Sequence, residues 1–156
     1  MYTQSGTGVI VVDAKGRAPT AEDPVYNDDD ARQIEQIPDG APHRVVDLAI
    51  IAADKAGDCK SYIVLPSTIY GISDPRILVK GDDKDAIMNR HSQQMPAAIN
   101  MALDRDQPGV YGEGKNIWPH VHIRDLQDMY LVVFDNAVSG KGDHGREGFY
   151  FGINGQ

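Results

Sequence analysis

Between Arg44 and Ala56 the chain carries Val45, Val46, Leu48, Ala49, Ile50, Ile51, Ala52 and Ala53. On a helix these apolar positions cover nearly the whole circumference, not one stripe. A helix that is apolar all round has to be buried all round, so it needs a sheet on one side and a second helix on the other. Gly57 follows at the place where glycine commonly ends a helix. Tyr62-Ile63-Val64-Leu65 then reads as a short buried strand stopped by Pro66. Val9 to Val12, extending back toward Tyr2, reads as another buried strand, closed by Asp13, Lys15 and Gly16. Strand, helix, strand with continuously apolar strands is the pattern of a parallel α/β sheet.

The connections are less regular. Residues 13–42 hold Pro19, Pro24, Pro38 and Pro42 and the run Asp28-Asp29-Asp30. This is a long loop with one helical turn near 30–36, and its acidic triplet is either a cation site or a solvated turn. Residues 71–92 form a second irregular stretch, charged at Lys80, Asp82, Asp83, Lys84 and Asp85. Gln94 to Leu103 predicts a helix with Pro96 in its first turn and Met95, Ile99 and Leu103 on one face. Gly109-Val110-Tyr111 is a short strand running into a tight turn, and a helix spans 124–138. Gly148 to Ile153 is a final strand. A sheet built only from 2–12 and 60–66 is too small for the apolar helix, so the chain reads as the second half of a larger fold.

The 156 residues suffice for one domain with a core. A formal net charge of −8 argues against general binding to nucleic acid or anionic membranes. A single cysteine, Cys59, leaves no disulfide framework and no thiolate metal site. No apolar run approaches the ~20 residues needed to cross a bilayer, and no basic-then-apolar leader opens the sequence. The expectation is a cytoplasmic protein.

Three segments carry a resemblance. "SYIVLPSTIYG" (61–71) is similar to the sixth strand and following turn of extended short-chain dehydrogenases/reductases. "GVYGEGKNIWPHVHIRDLQDMY" (109–130) resembles the same family's glycine-rich and His-Val-x-Asp segment. "SGTGV" (5–9) falls where that family's fifth strand presents a Ser/Thr pair, and "EGFYFGINGQ" (147–156) falls at a late substrate-domain strand. The likeness is to NAD-dependent epimerase, dehydratase and flavonoid-reductase-like members. It implies the second half of a Rossmann-type NAD(P)-binding fold, residues 1–71, with a small α+β substrate-domain portion at 72–156 that returns to the Rossmann layer. It also implies NAD or NADP as cofactor, a small-molecule substrate, and a homodimer formed through helix 44–56.

Two departures stand against full activity. No Gly-x-x-Gly-x-x-Gly turn follows a strand and opens a helix, so the usual pyrophosphate site is missing from these residues. The Gly-Thr-Gly at 6–8 precedes its apolar run and is no substitute. Nor does a Tyr-x-x-x-Lys pair precede the sixth-strand segment: the family interval lands on His43 and Asp47. A histidine can replace the phenol as proton donor, and Asp47, four residues on, shares its helical face. An aspartate has the wrong charge to lower a neighbour's pKa as a lysine does. The alternative is that both residues simply start the helix.

Ser5 and Thr7 match the hydroxyls that hold a substrate's reacting oxygen, or they are a tight turn. Pro66, Ser67 and Thr68 match the turn passing the nicotinamide carboxamide, or a generic strand exit. Tyr70, Trp118 and His120 would border the substrate, or fill a groove. Histidines 120 and 122 share a strand face, and Asp125 in the next first turn complements the helix dipole. The enzymatic reading gives His43, Asp47, Ser5 and Thr7 catalytic roles; the other makes the chain a non-catalytic small-molecule- or protein-binding module.

Overall fold

The computed structural model describes residues 1–72 and 93–155. In chain order its elements are β1 (Tyr2–Gln4), a 3-10 turn (Thr7–Ile10), α1 (Ala31–Glu35), α2 (Arg44–Ala56), β2 (Tyr62–Pro66) and β3 (Thr68–Tyr70). There follow α3 (Gln94–Asp104), β4 (His120–His122), α4 (Ile123–Val138), a second 3-10 turn (Gly145–Glu147) and β5 (Phe149–Gly152). One parallel sheet runs β1-β2-β5, with Tyr2 opposite Tyr62 and Ile63 opposite Phe149. A second, two-stranded parallel sheet pairs Thr68 with His120 and Tyr70 with His122. The architecture is mixed α/β with parallel strands, a partial Rossmann-like fold.

β2 is the centre, and all five of its residues are buried. Successive side chains of a strand point to opposite faces, and the core divides accordingly. Ile63 and Leu65 pack with Val9, Ile34, Ile37, Ile50 and Phe149 on the α2 side. Val64 packs with Val121 and Leu126 on the α4 side. Each such aliphatic side chain contributes about 1.5–3 kcal/mol by leaving water.

α2 ends as expected. Gly57 takes a left-handed conformation (φ 85°) and its N–H returns to the helix carbonyls. The helix is covered on the sheet side only: Ile50 is in the core, while Val45 is 72% and Val46 56% exposed. Among the described residues no helix covers that outer stripe, which corrects the expectation of two-sided burial within one chain.

Two strands expected from the sequence are not strands. The strand is Tyr2–Gln4, and Val9 lies instead in the 3-10 turn, with Val11 and Val12 extended beyond it and exposed. Tyr2–Gln4 can pair with Tyr62–Val64, and glycines at 6 and 8 then turn the chain before the β-branched run. Val110 and Tyr111 likewise lie in an exposed loop, closed by a bond from Gly114 N–H to the Tyr111 carbonyl. α3 forms at the expected place, but Met95, Ile99 and Leu103 are exposed. The charges at Lys80, Asp82, Asp83, Lys84 and Asp85 lie outside the described residues.

The acidic triplet serves the fold. Asp30 caps α1 by accepting the Arg32 N–H at 3.0 Å, and Asp28 accepts the Phe151 N–H at 2.7 Å, tying the loop to β5.

Candidate functional site at the carboxyl ends of β1 and β2

Ligands of open α/β sheets bind beyond the carboxyl ends of the strands. Here that edge is made by Ser5–Gly8 after β1 and by Pro66–Thr68 at the end of β2. The Ser5 N–H bonds the Val64 carbonyl at 2.8 Å and extends the sheet one residue. The Ser5 Oγ lies 3.1 Å from Oδ2 of Asp47, to which it donates.

Asp47 is fully buried in the first turn of α2. Burial pushes its carboxyl above the usual value, against the opposing pull of Ser5, Arg44 and His43. Among the described residues its Oδ1 has no partner. Arg44 is buried too; its Nη2 donates to the Ile34 carbonyl at 3.0 Å, at the end of α1, and its Nε and Nη1 have no partner among the described residues. Asp47 is therefore an inner brace that turns to Ser5 and not to His43. Its burial leaves it no exposed surface.

His43 precedes α2 with φ 67° and ψ −19°, left-handed for a residue with a Cβ. It makes no side-chain cap to the helix. Its imidazole lies over the glycine turn: a Cβ on Gly6 would sit 3.4 Å from Nε2, and one on Gly8 3.7 Å from Cδ2. The same Cβ at Gly6 would be 3.8 Å from the Pro66 carbonyl oxygen. The two glycines thus let β1's exit, β2's exit and the imidazole converge. A strained backbone at an exposed polar side chain is a feature that active sites collect.

The other expected contacts separate. Ser67 is buried, and its N–H and Oγ both bond the Gly152 carbonyl, at 3.0 and 2.8 Å. It is a strut between β2 and β5, with no hydrogen left for a ligand. Thr68 accepts a hydrogen bond from the Trp118 Nε1–H, and its own N–H reaches the Pro119 carbonyl at 3.2 Å. Tyr70 is edge-on to His120 at 5.3 Å and to His122 at 5.1 Å between ring centres. The His122 Nδ1 accepts the Arg124 N–H at 3.2 Å and so caps α4. Asp125 accepts from the Asn154 side chain. The two-histidine strand therefore anchors a helix with one imidazole and flanks Tyr70 with both.

Three cavities border Trp118. One, about 260 Å³, is lined by Thr7, Gly8, Ile10, Val11, Val12, Ala14, Pro19, Asp23, Ile117, Trp118 and Pro119. Another, about 660 Å³, is lined by Thr68, Tyr70, Met95, Trp118 and His120 among others. A third, about 320 Å³, shares Val11, Val12, Ala14, Ile117 and Trp118 with the first and adds Asp13, Lys15, Tyr111 and Asn116. The first unites Thr7 with Trp118, which are far apart in the chain. Sequence reasoning missed Ile10, Val11 and Val12 as cavity wall because their β-branched run reads as a strand.

The glycine turn, the Pro66 carbonyl and the His43 imidazole sit together at the strand ends, the imidazole filling the space that a side chain at Gly6 or Gly8 would take. No helix among the described residues opens with a glycine-rich turn after a strand.

Comparison with known proteins identifies the family. The model of the NAD dependent epimerase/dehydratase family matches residues 26–145. A curated relative, "Oxidase ucsJ" from Acremonium sp, is 23% identical over 168 aligned positions covering 97% of this chain. The chain spans 44% of that relative's length. No solved structure matches significantly. With the family model covering well over half of its residues and parallel strands converging on the glycine turn, the chain belongs to the NAD dependent epimerase/dehydratase family.

Proposed function

We propose that this chain supplies the nicotinamide and substrate end of an NAD(P)-dependent epimerase, dehydratase or reductase, and that alone it is weakly active or inactive. The observation carrying the reading is His43: a left-handed, non-capping histidine with its ring against the Gly6–Gly8 turn. A bound nicotinamide supplies or accepts hydride. The imidazole of His43 gives or takes the substrate proton, the role that histidine most often fills in general acid–base catalysis. Ser5 donates its hydrogen to Asp47 and keeps its lone pairs for a substrate hydroxyl. Thr7 is the hydroxyl that meets the cavity. Pro66 and the Thr68 backbone pass the carboxamide. Tyr70, Trp118 and His120 border the substrate.

The test uses reduced nicotinamide mononucleotide beside NADH and NADPH, read by nicotinamide fluorescence. Because no pyrophosphate turn is among these residues, the mononucleotide binds within about threefold of the dinucleotides, a difference under ~0.7 kcal/mol. His43→Ala weakens all three. Absence of saturable binding by any of them at millimolar concentration overturns the reading.

The second reading, a non-catalytic module, rests on Asp47, which is buried and stands at the place where the resemblance would put the lysine of the Tyr-x-x-x-Lys pair. Saturable mononucleotide binding with no hydride transfer to any carbonyl acceptor favours it. In either case the exposed Val45, Val46 stripe of α2 is proposed as the contact of a homodimer, and a cytoplasmic location remains the expectation.

A further inference from the structure

Two of the three cavities that border Trp118 differ from a sugar-nucleotide cleft in charge. The smaller one opens on Thr7 and Gly8, the turn on which His43 rests. Its remaining wall is Ile10, Val11, Val12, Ala14, Pro19, Ile117, Trp118 and Pro119, with one carboxylate, Asp23. That carboxylate is already used: Arg17 forks onto both oxygens, one of them at 2.7 Å, and the Thr20 N–H adds a bond at 2.8 Å. Bonding to Arg17 holds its carboxyl well below the usual range. Neither of these two is lined by a lysine or an arginine among the described residues; the third, on the far side of Val11 and Ile117, is bordered by the exposed Lys15 and by Asp13.

A nucleoside diphosphate carries two or more negative charges and is recognised by cations, backbone N–H clusters or helix N-termini. In a chain of net charge −8 such a ligand also meets repulsion on approach. An uncharged ring system meets neither cost and gains from apolar burial.

The wall is also held in shape. Gly16 has φ 82°, and a Cβ there would lie 1.7 Å from the Tyr111 carbonyl oxygen. Lys115 N–H bonds the Gly16 carbonyl at 2.8 Å. The loop carrying Val11–Ala14 is thereby fastened to the loop leading into Ile117 and Trp118. The indole N–H is fixed on Thr68, so the ring stands between the two cavities with its orientation set.

We propose that this cleft selects its substrate by an uncharged, flat apolar body, an aromatic or fused-ring ketone or alcohol, seated between Val11, Ile117 and Trp118 with its oxygen toward Thr7. This deepens the oxidoreductase reading and rests on it for the chemistry, but the binding itself needs no cofactor.

Trp118 is the chain's single tryptophan, so its indole N–H gives one cross-peak in a nitrogen-15 correlation spectrum. 2-Acetylnaphthalene is expected to shift that peak saturably in the micromolar range, while UDP-glucose leaves it in place up to millimolar. Val11→Lys, at an exposed position that tolerates the change, weakens the naphthyl ketone at least about tenfold. Val25→Lys, equally exposed and outside the cleft, leaves it unchanged. Tighter binding of UDP-glucose, no shift with the ketone, or equal affinity in Val11→Lys each overturns the proposal. Mononucleotide binding scores the oxidoreductase reading separately, so either can fail while the other stands.

Discussion

Ser5 Oγ stands 3.1 Å from Oδ2 of the fully buried Asp47, and this one bond joins the exit of β1 to the first turn of α2. Forty-two positions separate the two residues, so the bond exists only in the folded chain. It supports the turn on which His43 lies.

Removing the donor leaves a buried carboxylate with no partner on either oxygen. Ser5→Ala should therefore cost about 1–3 kcal/mol in urea unfolding. In an Asp47→Leu background the same substitution should cost little, because nothing is left unsatisfied. Equal cost in both backgrounds would show that the bond contributes nothing.

The raised Asp47 carboxyl makes a pH prediction of known sign. Its folded value lies above the unfolded 3.8, so the folded state binds more protons just above that pH. Stability from this group is present below 3.8 and falls as pH rises through the folded value. Asp47→Asn, which keeps an acceptor for Ser5, should gain on wild type as pH climbs from about 4 toward 7, by on the order of 1 kcal/mol. A constant difference across that range refutes it.

Asp54 behaves oppositely. Burial pushes its carboxyl up, but the Ser61 N–H at 2.6 Å, His144 at 2.9 Å and the Ser61 hydroxyl at 3.1 Å outweigh this and hold it below its usual value. Its stabilisation is present above 3.8 and is lost as pH falls through the folded value. Asp54→Asn should cost about 1–2 kcal/mol at neutral pH, a deficit that closes in acid. Chemical denaturation at two pH values reads both numbers.

Two glycines of similar φ separate strain from collision. A Cβ added at Gly57, where φ is 85°, would find nothing within 4 Å, so Gly57→Ala costs only backbone strain of about 1 kcal/mol. At Gly16, where φ is 82°, the Cβ meets the Tyr111 carbonyl, so Gly16→Ala should cost at least about 2 kcal/mol more and broaden the Trp118 indole signal. Equal melting temperatures for the two variants would contradict the fastened loop.

The outer stripe of α2 predicts self-association. Val45 and Val46, both exposed on one helix, should be covered by a second copy, since contiguous apolar surface is seldom left wet. Val46→Lys should convert a dimer to a monomer in sedimentation without lowering helix content. A wild-type monomer at micromolar concentration that binds no hydrophobic dye disposes of the idea.

The sequence by itself determined the local elements whose signals are self-contained: α2 with its terminal Gly57, the apolar run of β2, the helix opened by His122 and Asp125, and β5. Each rests on periodicity or on a cap that neighbouring residues supply. What only the tertiary structure decided depends on partners far along the chain. Val9–Val12 has the β-branched composition of a strand, yet the pairing edge went to Tyr2–Gln4 because that stretch aligns with Tyr62–Val64. Asp47 has the spacing of a surface residue facing His43, yet its carboxylate turned inward to Ser5. Ser67 resembled a ligand contact, yet Gly152 claimed it. The Trp118 cleft, drawn from four separate segments, has no local signature at all. Composition limits what a residue can do, but burial and hydrogen-bond partners select among those options, and both are set by which distant segments the sheet brings together.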